Sequence, residues 1–315
     1  MARFLLPKLL RNGRAEVDSG RCNDLGRDAD MDTRGFPLRS TLMASASIAA
    51  AAIGFAPPAM AGNIVLTGHD NDFHCGSTGA GHASTCTTLG AEAAFVAGGA
   101  GANILVIDNG TELSGALTSL GFNVTSRSVA TVAAIDFDHS LYGAFAVASV
   151  STCGGCDNPV GSGTILAGFS AAIASFFNAG GGILGMTGAS DPNAFDYVPE
   201  SGGVATPIFD SSGFVATAAG LAGIPGFDAV NGDQTHNIFS GFSSFYQVAE
   251  VFDPGFTGGT PTGDAVTIFG TGGRITCTGA GCTITGVPEP ATLSLLGAGL
   301  FGLAAARRRR QRRAA

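Results

Sequence analysis

The densest group of side chains able to do chemistry is His69-Asp70-Asn71-Asp72-Phe73-His74-Cys75, with His82 shortly after it. Two imidazoles and two carboxylates (His69, Asp70, Asp72, His74) offer nitrogen and oxygen donors that suit a divalent metal ion. The same groups could carry protons in a hydrolytic or sugar-processing reaction. A polar surface loop tied down by a disulfide is the competing reading. Asp108, Thr187 and Asp191 each end an apolar run and are expected to face the same region. A second candidate is Cys153-Gly-Gly-Cys156, because a C-x-x-C pair at a helix N-terminus has a lowered thiol pKa and redox activity. The residues that follow it, Asp157-Asn-Pro-Val-Gly-Ser-Gly163, read as loop and favour a structural disulfide instead.

These residues need elements to position them. Apolar runs at 63–67, 104–108, 144–149 and 183–186, and an alternating one at 122–129, read as strands. Runs that are apolar on both faces are expected of parallel strands covered by helices. Between them, Leu113, Leu117 and Leu120 share one helical face, with Thr111 as the expected cap and Gly121 as the stop. Residues 162–178 carry a continuous apolar stripe and predict one long helix. Alternating strands and helices predict an α/β domain over 62–252, with a mainly parallel sheet and helices on both faces. In such sheets ligands bind beyond the carboxyl ends of the strands, which is where the His69 group follows the first run. Residues 253–264 are rich in Gly, Pro and Thr and lead into three short strand-like runs at 265–269, 274–277 and 282–285. They predict a small β extension over 253–286, closed by a Cys277–Cys282 link.

Charge is partitioned along the chain. Between Asp70 and Glu289 there are 18 acidic residues against only Arg127 and Arg274, whereas basic residues crowd both ends. So acidic a surface repels phosphate backbones, which excludes nucleic acid and favours cations or neutral polymers such as polysaccharide.

The ends read as addresses. Arg34 and Arg39 precede a short apolar stretch that closes in Ala59-Met60-Ala61. Basic, apolar and small-residue regions in that order predict a secretory signal peptide over 31–61, cleaved to leave Gly62 first. Residues 1–30 mix acidic and basic residues without pattern, so Met31 is the expected start and 1–30 an over-extension of the gene. At the other end, Val287-Pro288-Glu289-Pro290 precedes an apolar run over 291–306 and then Arg307-Arg-Arg-Arg-Gln-Arg-Arg313. The run predicts a single C-terminal transmembrane helix, short for a span but extended by snorkelling arginines. The arginines place their end in the cytoplasm and Pro288-Glu289-Pro290 just outside the membrane.

Motif, apolar run and basic end over 287–313 together resemble the PEP-CTERM sorting signal. The resemblance implies recognition by an exosortase, a membrane-embedded, cysteine protease-like enzyme, and an association with exopolysaccharide. It implies transient anchoring in the inner membrane and a final place at the cell surface or outside it. A plain C-terminal anchor is the alternative. Cysteine usage fits export. Cys75, Cys86, Cys153, Cys156, Cys277 and Cys282 form an even set falling in three close pairs, so local disulfides are expected, although other pairings are possible.

Within the central region, Phe177-Asn-Ala-Gly-Gly-Gly-Ile-Leu-Gly-Met-Thr-Gly-Ala-Ser-Asp191 resembles a helix–triple glycine–strand segment of ThuA-like proteins. His236-Asn-Ile-Phe-Ser-Gly-Phe242 resembles a second segment, read here as a strand-edge loop. The resemblance implies a class I glutamine amidotransferase-like fold, a flavodoxin-like sandwich. Thr187 stands where amidotransferases carry a nucleophilic Cys and ThuA-like proteins a His. A threonine with no base beside it is a poor nucleophile, so an inherited fold without the chemistry is expected. The expectation is therefore an exported, exosortase-sorted surface or matrix protein without catalysis. The alternatives are a secreted hydrolase or sugar-processing enzyme using the His69 group, and then a redox protein using Cys153 and Cys156.

Overall fold

The apolar runs form the parallel half of an eight-stranded sheet. The structure, a computed structural model, describes residues 61–75, 83–150, 158–188, 191–208, 210–232, 236–279 and 281–286. The expected signal peptide over 31–61, apart from Ala61, together with Cys153 and Cys156, the Pro288-Glu289-Pro290 motif and the apolar run 291–306, lies outside the described residues. Among the described residues no helix is long and apolar enough to cross a membrane.

The chain opens with β1 (Ile64–Thr67), a short α1 (Asn71–Cys75) and α2 (Ala83–Ala97). It continues through β2 (Asn103–Ile107), α3 (Glu112–Ser119), β3 (Asn123–Arg127) and β4 (Ala144–Val147). Then come α4 (Ser162–Ala167), α5 (Ser170–Asn178) and β5 (Gly182–Met186). β6 (Gly203–Ile208), β7 (Phe214–Ala216), α6 (Ala218–Gly223) and β8 (His236–Ser240) follow. β9 (Gln247–Phe252), β10 (Asp264–Gly270), β11 (Gly273–Thr278) and β12 (Gly281–Gly286) close the described chain.

Register explains why the four inner parallel strands, β2, β4, β5 and β1, are apolar. Leu105, Phe145, Ile183 and Ile64 stand side by side across β2, β4, β5 and β1. They face one core together with Ile173, Phe176 and Phe177 of α5. Their neighbours Ile104, Val106, Ala144, Leu184 and Val65 face the opposite core, against Leu89 and Val96 of α2 and Leu113 and Leu117 of α3. Each strand is buried on both sides, as the unbroken runs require. The close fit is visible at Gly185, where a Cβ would lie 2.4 Å from the Tyr197 hydroxyl oxygen.

Several expectations need correction. The stripe over 162–178 is two helices, because Gly168 N–H and Phe169 N–H bond to the carbonyls of Ile165 and Leu166 three residues back. That tightening ends α4 and lets α5 start in a new direction. The division at 252/253 does not part a core domain from an edge extension. β10 is buried from Ala265 to Gly270 and lies inside the sheet, antiparallel to both β1 and β9. A strand apolar on both faces needs neighbours on both sides. The eight-stranded sheet has the order β3-β2-β4-β5-β1-β10-β9-β7; β11 and β12 stand apart from it as a hairpin joined by Cys277–Cys282, and β6 and β8 form a second separate pair. His236 opens a regular strand, β8, paired with β6, and is not in a loop. What forms is an α/β fold with a large, mainly parallel sheet flanked by helices and continued by three antiparallel strands.

Candidate functional site

The strand-end region is assembled around Gly68, which follows β1. Its N–H donates to the Val266 carbonyl, and its own carbonyl accepts from the Asn237 N–H at 2.8 Å. The Asn237 side-chain amide also reaches the carbonyls of Gly68 (3.2 Å) and Thr187 (3.4 Å). β8 is thereby stitched across the ends of β1 and β5. Only glycine fits here, since a Cβ at 68 would lie 2.1 Å from the Asn237 carbonyl oxygen.

This crossing turns His69 inward. Its Nε2 lies 2.5 Å from Oε2 of Glu250 on β9, and both side chains are fully buried. The Thr267 hydroxyl donates to the same Oε2 at 3.1 Å, and the Val230 N–H to Oε1 at 2.6 Å. Thr67 and Thr267 share a hydrogen bond at 2.9 Å, and Phe214 meets the His69 ring edge-on. The Glu250 carboxylate thus has several donors, as a buried acid requires.

α1 distributes the next residues in different directions, because successive helical positions turn by about 100°. Asp70 and His74, one turn apart, meet at 3.6 Å. Asp72 points elsewhere and accepts from the Ser149 N–H (2.8 Å) and hydroxyl (3.0 Å) beyond β4. Burial pushes the Asp72 carboxyl up to about 7 against the pull of the Ser149 bonds. Asn71 donates to Glu92 Oε2 of α2 at 3.4 Å. Glu92 is fully buried, and burial followed by the nearby charge of Glu250 pushes it up to about 8. Cys75 is bonded to Cys86, which ties α1 to α2.

The four candidate ligands therefore do not converge. His69 goes to β9, Asp72 to Ser149, and Asp70 pairs with His74. Among the described residues no group of three or more His, Cys, Asp or Glu side chains is placed to hold a metal ion. Asp108 and Asp191 serve the backbone. Asp108 accepts from Gly110 N–H and Ser114 N–H, so it caps α3 in place of Thr111, whose side chain makes no cap bond. Asp191 accepts from the N–H groups of Gly161 and Asn193 and fixes the start of α4. Thr187 is buried, and its hydroxyl has no hydrogen-bond partner among the described residues. At the strand ends the described side chains of His69, Asp72, Asp108 and Asp191 are buried and bonded within the fold. A cleft of about 630 Å³ lies elsewhere, between residues 196–202 and the Cys277–Cys282 end of the hairpin.

Glu92 and Glu250 were not singled out in the sequence. Each has a signal, a lone acid within an apolar segment: Ala91-Glu-Ala-Ala-Phe95 and Val248-Ala-Glu-Val-Phe252. Glu92 has a measurable consequence. Its folded pKa lies above the unfolded value, so between about pH 4.5 and 8 the native state holds a proton that the unfolded state has released. Its contribution to stability is complete below that window and declines as pH rises through it. Glu92→Gln has no such proton to lose. Its melting temperature is expected to exceed that of the unaltered protein at pH 9 and to match it near pH 4.5. Thermal melts over that range check this; a wild-type profile as flat as the variant's would contradict it.

Comparison with known proteins adds one match. The family model described as the PEP-CTERM protein-sorting motif matches residues 286–310. No curated protein and no solved structure matches the chain. The chain thus carries a PEP-CTERM sorting motif, which defines a class: an exported, surface-destined protein targeted to an exosortase. These comparisons lend no support to the resemblance of the central region to ThuA-like proteins.

Proposed function

We propose that this chain is a non-catalytic cell-surface or extracellular-matrix protein, held transiently in the inner membrane, sorted by an exosortase and associated with exopolysaccharide. The observation that carries the reading is the sorting motif at 286–310. Two features support it. The side chains of His69, Asp72, Glu92 and Glu250, near the strand ends, are wholly buried. The region from Asp70 to Glu289 is strongly acidic, which suits a neutral or cation-bridged polymer better than a polyanion. Cosedimentation of the surface-released protein with exopolysaccharide from the producing cells tests the association. The protein is expected in the polymer pellet, and more of it when calcium is added. Recovery wholly in the supernatant at every calcium concentration would end the polysaccharide proposal and leave the sorting reading standing.

A further inference from the structure

The last described strand meets the sorting motif with no linker. β12 ends at Gly286, the first residue of the matched segment, and Val287-Pro288-Glu289-Pro290 follows at once. Four residues span at most roughly 14 Å when extended. An enzyme at the membrane that takes the motif as extended chain would therefore meet the folded hairpin immediately upstream.

The hairpin's two strands are held very unequally. β11 is fastened to α5, where the Asn178 side chain donates to the Ile275 carbonyl (2.8 Å) and accepts from the Ile275 N–H (2.9 Å). β12 pairs with β11 alone, in a two-stranded sheet. Of its residues only Ile284 is buried, while Thr283, Thr285 and Gly286 are exposed. The Cys277–Cys282 disulfide crosses the hairpin at the end remote from the motif. Everything after Cys282 can leave β11 with the loss of one buried side chain; nothing before it can.

We propose that residues 283–286 detach from β11 when an exosortase engages the motif, and that the Cys277–Cys282 disulfide stops the detachment there. This rests on the sorting reading above. Detachment extends the available chain from four residues to eight, a reach of roughly 28 Å. The pairing of the eight-stranded sheet and the bonds of α5 to β11 do not use residues 283–286, so the exported domain stays folded while its tail is handled.

Arg274 and Thr285 face each other across the hairpin at its motif end, and both are exposed. In the full-length chain, Arg274→Cys with Thr285→Cys closes that end with a second cross-strand bond, which pairs of this spacing accept. With the bond confirmed on a non-reducing gel, the surface-located protein is expected to fall at least tenfold and the membrane-bound precursor to accumulate. Each single variant should sort as the unaltered chain does. Ile284→Ala, which loosens β12, is expected to shorten the sorting half-time at least twofold in a pulse-chase. Glu289→Ala serves as the reference. If the cross-linked chain reaches the surface normally while Glu289→Ala does not, detachment is overturned and sorting stands. If both reach the surface normally, detachment and the sorting reading fall together. An unchanged or longer half-time for Ile284→Ala also overturns detachment.

Discussion

Glu289→Ala, or Pro288→Ala together with Pro290→Ala, is expected to leave nearly all of the protein in the inner-membrane fraction with its folded domain intact. The argument is spatial. An apolar run 291–306 acting as a membrane anchor would leave the exported domain on one side and the arginines of 307–313 on the other. Residues 287–290 would then sit at the outer boundary of the membrane. Prolines disfavour helix, and Glu289 is the one charge between the hairpin and the apolar run. The last buried residue before the motif is Ile284, so the substitutions leave the cores unchanged. Neutralising 307–310 should act differently, weakening retention and releasing unprocessed precursor. Fractionation with an antibody against the folded domain, beside a thermal melt of the same material, reads both effects. Normal surface arrival of the Glu289 and proline variants would reduce the tail to a plain anchor.

His69→Ala is expected to destabilise the domain by about 2–4 kcal/mol, the order expected when a buried carboxylate loses a hydrogen-bond partner and the lost ring leaves a cavity. For a domain of this size that lowers the melting temperature by roughly 10 °C. Glu250 would keep its bonds from Thr267 and Val230 but lose the partner at 2.5 Å. It would also remain buried near Glu92, whose carboxyl already responds to its charge. Adding Glu250→Gln should recover part of the loss, because a neutral amide beside Glu92 needs no counter-charge. A double variant as unstable as the sum of the two singles would show that the pair is not coupled.

The four inner parallel strands were legible because they are buried on both faces, so their residues form unbroken apolar runs, while the edge strand β3 showed instead as an alternating run. The antiparallel half was less so. β10 was visible as a strand, yet its place between β1 and β9 depends on partners far away in sequence. β7 and β9 carry ordinary mixed residues and declare themselves only through pairing. The break at Gly168 was hidden by an apolar stripe that runs through it, since two helices on one face show the same periodicity as one. In the candidate site, His69 to His74 were conspicuous by type, but their spacing suggested convergence, and α1 sends them to different partners. Asp108 was read as a crevice residue because it ends a strand, whereas the amides of the following helix take its carboxylate. The sorting motif was legible because its recognition depends on local order along the chain and not on the fold.

The pairing of β1 with β10 sets the timing of folding. Thr67 and Thr267 share a hydrogen bond across a sequence separation of 200 residues, and β1 is flanked by β5 on its other side. In export from the N-terminus, β1 is the first strand to emerge and one of the last completes its surroundings. Contacts so distant in sequence close slowly. The sheet therefore completes only once β10 has emerged, and until then the newly exported β1 has an open edge to shelter.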